Sequence, residues 1–138
     1  MKSLPDTPKV SIITMTYNDC AHLEKCVTQI LKQDYENIEY IIVDGGSSDG
    51  THEIIQKAAQ QLGDKLKWVS EPDEGLYDAL NKGIRMATGA IVGLMCDEFA
   101  DAHVLSDMVR QMQRDGTDGV HGDIDYMADG KVIRKWRT

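Results

Sequence analysis

Carboxylates recur in short stretches punctuated by glycine, serine and proline: Asp44-Gly45-Gly46-Ser47-Ser48-Asp49, then Glu71-Pro72-Asp73-Glu74-Gly75, then Cys96-Asp97-Glu98. An ionised carboxylate accepts hydrogen bonds and ligates hard cations, and a neighbouring glycine lets a ligand approach the backbone closely. A fourth stretch, Thr14-Met15-Thr16-Tyr17-Asn18-Asp19, adds hydroxyls, an aromatic ring and an amide. Taken alone, a Gly/Ser/Asp cluster is a turn, with Gly45 and Gly46 for unusual backbone angles and Asp49 and Thr51 for helix capping. Whether it is also a binding loop depends on what precedes it.

An apolar run precedes each stretch. Val10 to Ile13, Ile38 to Val43, Leu66 to Val69 and Ala90 to Met95 read as four strands. Between and after them run helical stripes: Leu23, Cys26, Val27, Ile30, Leu31; Ile54, Ile55, Ala58, Ala59, Leu62, stopped at Gly63; Leu76, Leu80, Ile84, Ala87, stopped at Gly89; and Val104, Leu105, Met108, Val109, Met112. This alternation predicts an α/β fold, a Rossmann-like and mostly parallel sheet with helices on both faces. In such sheets ligands bind beyond the carboxyl ends of the strands, which is where all four stretches fall. Like charges gathered on one rim are costly unless something neutralises them. Farther on, Asp118 to Met127 reads as a strand, and Asp129-Gly130 as a tight turn into Lys131 to Trp136, giving a hairpin or a mixed sheet edge near the C-terminus.

The 138 residues fit one domain, residues 1–138, with no internal repeat or linker. A formal net charge of −8 argues against nucleic acid and anionic lipid as direct partners, and requires that any phosphate ligand bring or find positive charge. No apolar run approaches membrane-spanning length, and the N-terminus has no signal-peptide pattern. Three cysteines at no metal-ligand spacing read as reduced thiols of a cytoplasmic protein, and the four histidines, each opening a helix or lying in a strand, form no zinc motif. Neither a G-x-G-x-x-G nor a P-loop occurs, and Thr16-Tyr17-Asn18 lacks the acidic pair of a phosphoacceptor receiver.

The segments VSIITMTYN, IEYIIVDGGSSDGT, SEPDEGLYDALNKGIRMATG and IVGLMCDEF together resemble glycosyltransferase family 2, from residue 9 to about residue 136. The resemblance implies a GT-A fold and an inverting, nucleotide-sugar-dependent transferase. The EPDxGLYDALNKG form is similar to bacterial enzymes that build surface polysaccharides. By this resemblance Asp44 accepts the N3–H of a uracil base. Thr16, Tyr17 and Asn18 line the nucleoside pocket, with Gly45 and Ser47 in the turn against it. Asp73, Gly75, Asp78 and Asn81 approach the ribose, diphosphate and donor sugar, Gly75 opening a helix whose N-terminus suits phosphate.

The resemblance makes Asp97 and Glu98 the ligands of Mn²⁺ or Mg²⁺, although the family pattern has two aspartates there and the segment before Phe99 is one residue short. The implied donor is a nucleotide-diphosphate sugar, expected to be a UDP-sugar, and the acceptor a hydroxyl on a sugar or lipid-linked sugar. Related chains continue for an acceptor-binding half that carries the general base. Hence the expectation of a chain without that half, and of no assignable catalytic residue, since alternation puts Asp123 and Asp125 on a solvent face. Two readings stay open, a transferase or a nucleotide-sugar-binding module without transfer activity of its own. The sequence leaves the oligomeric state open, a homo-oligomer included.

Overall fold

The computed structural model describes residues 4–137. Its elements follow in the order β1 (Val10–Thr16), α1 (Cys20–Lys32), β2 (Ile38–Asp44), α2 (Thr51–Leu62), β3 (Leu66–Ser70), α3 (Leu76–Met86), β4 (Ile91–Leu94), α4 (Val104–Asp115), β5 (Ile124–Ala128) and β6 (Lys131–Trp136). The first four strands form one parallel sheet in the order β3-β2-β1-β4. Thr16 pairs with Asp44 and Asp44 with Ser70, so three strands end abreast on one rim.

β2 is buried on both faces, which explains its nearly unbroken apolar run. On one face Ile12, Tyr40 and Ile42 pack with Leu23, Cys26 and Ile30 of α1, Ile55 and Ala58 of α2, and Leu105 and Val109 of α4. On the other, Ile13, Ile41 and Val43 pack with Ala79 and Leu80 of α3. A Cβ on Gly83 would stand 2.6 Å from Ile13 Cγ2, so the missing side chain is what lets α3 lie directly on β1.

Glu39 interrupts the apolar run of β2 and is buried. Ser11 Oγ donates to Glu39 Oε2 at 2.5 Å, and the Thr88 amide and hydroxyl donate to the two carboxylate oxygens at 2.8 Å each. Lys67 Nζ stands 2.5 Å and Lys9 Nζ 3.5 Å from Oε1. Burial opposes ionisation of Glu39, but the bonds from Lys67, Ser11 and Thr88 outweigh it and hold the carboxyl far below the usual carboxylate range. This cluster ties the turn after α3 to the strand ends opposite the carboxylate-rich rim.

The C-terminal expectation needs adjustment. The strand begins at Ile124 rather than Asp118, and His121 lies in irregular chain before it. Asp129 and Gly130, at φ of 49° and 73°, make the tight turn the sequence predicts. The hairpin pairs only with itself and forms a small antiparallel sheet, not an edge of the parallel one. Every residue of β5 and β6 is exposed. Arg134 lies over the rings of Tyr126 and Trp136. No helix among the described residues is long and apolar enough to cross a membrane.

Candidate functional site

The rim is built from the loops that leave β1, β2, β3 and β4. β1 leads into Tyr17, Asn18 and Asp19 before α1, and β2 leads into the glycine-serine turn before α2. Asn18 joins these two loops. It adopts a left-handed φ of 48°, which asparagine tolerates. Its amide donates to Ser47 Oγ at 2.8 Å, while its side-chain oxygen accepts the Ser48 amide at 2.8 Å. Asp49 adds a second tie, accepting the Cys20 amide at 3.0 Å and the Thr51 amide at 3.0 Å. Its carboxyl lies below the ordinary range, chiefly through the hydrogen bond from the Thr51 hydroxyl.

Asp44 lies beneath this turn and is 0% exposed. Ser47 donates its amide to Asp44 Oδ2 at 3.1 Å and its hydroxyl to Oδ1 at 2.5 Å. Ser70 Oγ donates to Oδ2 at 2.6 Å. His52 Nε2 is 2.8 Å from Ser70 Oγ and 3.8 Å from Asp44 Oδ2. Because the serine proton points to the carboxylate, the histidine is the donor to the serine, which fixes an Nε2–H. The carboxylate expected to meet a base is thus committed to the turn, to β3 and to α2.

Asp73 is placed differently. Its Oδ1 accepts the Gly75 amide at 3.0 Å, and among the described residues Oδ2 accepts no hydrogen bond. A Cβ on Gly45 would stand 2.9 Å from that Oδ2 and 3.3 Å from Tyr17 Cδ2, so Tyr17, Gly45 and Asp73 share one spot. The Tyr17 ring is 65% exposed. Gly46, at φ of 88°, passes beneath Pro72. The segment holding Asp73 is pinned by Lys82, whose Nζ reaches Glu71 at 3.1 Å, Asp78 at 3.7 Å and the Pro72 carbonyl at 3.2 Å. Partial burial works against the Lys82 charge, but Glu71 and Asp78 outweigh it and raise its proton affinity.

Asp78 also accepts the Glu74 amide at 2.9 Å, closing the first turn of α3. Gly75, at φ of 115°, opens that helix in a conformation only glycine adopts readily. Asn81 is exposed one turn further on. Lys82 lies within the EPDxGLYDALNKG stretch, where it reads as a solvated helix residue, although its i,i+4 spacing from Asp78 is a visible signal of the ion pair. The Asn18 clasp and the His52–Ser70 link have no local signal, since their partners are 18 to 30 residues away.

Across β1, the β4 end turns toward α1. The Met95 amide donates to the Ile13 carbonyl and Thr14 Oγ1 to the Met95 carbonyl, holding the residue after β4 against β1. His22 Nε2 lies 2.5 Å from the Cys96 carbonyl, and Glu98 Oε1 lies 4.0 Å from Lys25 Nζ. β2 and β4 flank β1, and β4 pairs only as far as Ile13, three residues short of the Thr16–Asp44 rung. The Cys26 thiol is pushed up to about 11, first by burial and then by Cys96, Asp97, Glu98 and Asp19, which keeps it protonated and unsuited to metal ligation.

Asp97 and Glu98 are exposed, and among the described residues no group of three or more His, Cys, Asp or Glu could cage an ion. This donor set does not fit a protein-only metal cage. It does fit Mg²⁺ or Mn²⁺ held by one or two carboxylates with ligand phosphate oxygens and water completing the shell. Thr16 Oγ1, at the β1 end, is the one buried side-chain polar atom without a partner among the described residues.

A parallel α/β sheet with a polar, loop-built rim and a small antiparallel sheet near the C-terminus defines the GT-A class of glycosyltransferase folds. The mannosyltransferase of Pyrobaculum calidifontis, solved with GDP-Man and Mn²⁺, superposes with a TM-score of 0.69 at 31% identity, over 80% of this chain and 34% of that one. S. aureus TarS, in complex with UDP-GlcNAc, shares the fold with a TM-score of 0.68 at 23% identity, over 80% of this chain and 32% of that one.

The model of glycosyl transferase family 2 matches residues 11–138, and the chain belongs to that family. It is 31% identical over 120 residues to an uncharacterized glycosyltransferase of Nostoc, covering 86% of this chain and 37% of that protein. It is 34% identical over 120 residues to a PGL/p-HBAD biosynthesis glycosyltransferase of Mycobacterium tuberculosis, covering 85% and 47%. The chain thus spans less than half the length of these relatives.

Proposed function

We propose that this chain is the donor-binding portion of a metal-dependent, inverting glycosyltransferase that passes a sugar from a UDP-sugar to a hydroxyl on a sugar or lipid-linked sugar, in the synthesis of a bacterial surface glycan. The observation that carries this reading is that the loops leaving the parallel strands on one rim carry an exposed aromatic ring, a carboxylate with an oxygen unpartnered among the described residues, a helix N-terminus and the exposed pair Asp97 and Glu98.

Each part has a task. Tyr17 offers a face for stacking a base. The amides at the start of α3, opened by Gly75, favour the diphosphate, and Asn81 on the same helix is assigned to the donor side. Asp78 and Lys82 keep that helix start in place. Asn18, Ser47 and Asp44 hold the floor, with the Thr16 carbonyl accepting the Gly45 amide. Asp97 and Glu98 would hold Mn²⁺ or Mg²⁺, which when bound stabilises the departing nucleoside diphosphate as a Lewis acid. No general base is assigned, because Arg137 engages both Asp123, at 3.4 Å, and Asp125, at 2.7 Å.

The test is titration with UDP and GDP in Mn²⁺, followed by turnover of a UDP-sugar panel with and without acceptors. GDP is included because the 31% identical neighbour was solved with GDP-Man. Tight UDP binding with donor turnover is the expected result. Binding without any turnover supports the module reading, and binding of neither nucleotide removes both.

A further inference from the structure

We propose that Asp73, rather than Asp44, is the carboxylate that reads the base, and that position 45 is glycine so that Asp73 can reach the base edge. The inference deepens the donor-binding function above and rests on it. A ring N–H must come within about 3 Å of its acceptor. Asp44 has no exposed surface, and its oxygens already accept two bonds from Ser47 and one from Ser70. A base could reach it only by displacing those donors, and with them the turn that forms the floor.

Asp73 meets the requirement as it stands. Its Oδ1 is fixed by the Gly75 amide, which leaves Oδ2 to accept. That oxygen lies over the bare backbone of Gly45 and beside the ring edge of Tyr17. A planar base stacked on Tyr17 would thus find an acceptor at its edge and no side chain beneath it. Glu71 and Pro72, just before Asp73, are held by Lys82, so the acceptor is positioned before the ligand arrives.

The chemistry sets the substrate class. An acceptor-only carboxylate pairs with the N3–H of uracil or the N1–H of guanine. It faces a lone pair at N3 of cytosine and at N1 of adenine, and repels both. The site is therefore assigned to nucleotides whose base carries an imide or lactam N–H.

The experiment is calorimetric titration of the full chain and of Asp73→Ala with UDP, N3-methyl-UDP and CDP in Mn²⁺, with circular dichroism to verify folding. The wild-type chain is expected to bind UDP at least about tenfold more tightly than either analogue, the scale of one lost hydrogen bond to a charged group. Asp73→Ala is expected to bind all three alike and more weakly than wild type binds UDP. Asp73→Asn keeps the side-chain size if the alanine variant misfolds, and its amide can donate to cytosine, so the UDP preference over CDP should collapse. A folded Asp73→Ala variant that still discriminates against the N3-methyl group overturns the proposal, as does a folded Asp73→Asn variant that keeps the full UDP preference over CDP. So does a wild-type chain that binds UDP and N3-methyl-UDP equally, which leaves the donor-binding reading standing. Failure of UDP and CDP to bind here, together with failure of GDP in the titration under the proposed function, sinks that reading as well.

Discussion

At Gly45 the absent side chain is a spatial requirement, because Asp73 Oδ2 and Tyr17 converge on the place a Cβ would take. Gly45→Ala should therefore push the Asp73 carboxylate aside while leaving the sheet intact. Nucleotide affinity measured by calorimetry is expected to fall about tenfold, with a melting temperature close to that of the parent. Asp44 calls for the opposite pattern. Its bonds to Ser47 and Ser70 are buried, so Asp44→Asn should lower stability by about 1–3 kcal/mol in urea denaturation. An unchanged midpoint would show that the turn does not depend on that carboxylate. The two substitutions separate an oxygen that meets the ligand from one that holds the floor.

Between elements, the contact of α3 with β1 depends on Gly83. A methyl there would overlap Ile13, and Gly83→Ala should cost about 1–3 kcal/mol by overpacking. Glu39 makes the stability of the same α3–sheet junction depend on pH. Its folded carboxyl titrates below its ordinary value of 4.5, so its contribution is complete above about pH 4.5 and is lost as the pH falls further. Glu39→Gln should destabilise the fold at neutral pH by about 2–3 kcal/mol, somewhat below the cost at a fully buried pair because Lys67 is part-exposed. It should also flatten the decline of stability on the acid side, which denaturation at pH 3, 4 and 6 would reveal.

β1 and β2 were legible in the sequence because parallel strands buried on both faces leave apolar runs, while the helices leave stripes. The candidate residues were legible as strand-end motifs. What Glu39 does was not, since its lysine lies on a strand that topology alone brings alongside. Nor was the division of labour between Asp44 and Asp73. Both are acidic residues in loops that contain glycine, and only burial and the space over Gly45 tell them apart.

For the molecule as a whole, a net charge of −8 and an acidic rim set the terms for a diphosphate ligand. With the cation chelated, UDP should bind weakly, and more weakly still at low salt, where repulsion is less screened. Mn²⁺ should reverse that salt trend, and Asp97→Asn should largely remove the effect of Mn²⁺. A binding curve indifferent to chelator would take Asp97 and Glu98 out of the site. The hairpin follows different physics. A two-stranded sheet with every residue exposed is marginal in water, so amide exchange in β5 and β6 should run far ahead of β1 and β2.

The clasp that Asn18 makes with Ser47 and Ser48 has a kinetic consequence. Two loops from different strands move as one plate, so the conformational entropy of ordering this half of the pocket is already spent before a nucleotide arrives. Stopped-flow mixing should then give a single phase whose rate climbs linearly with nucleotide concentration. Unfastening the plate with Asn18→Ala should introduce a plateau set by loop rearrangement.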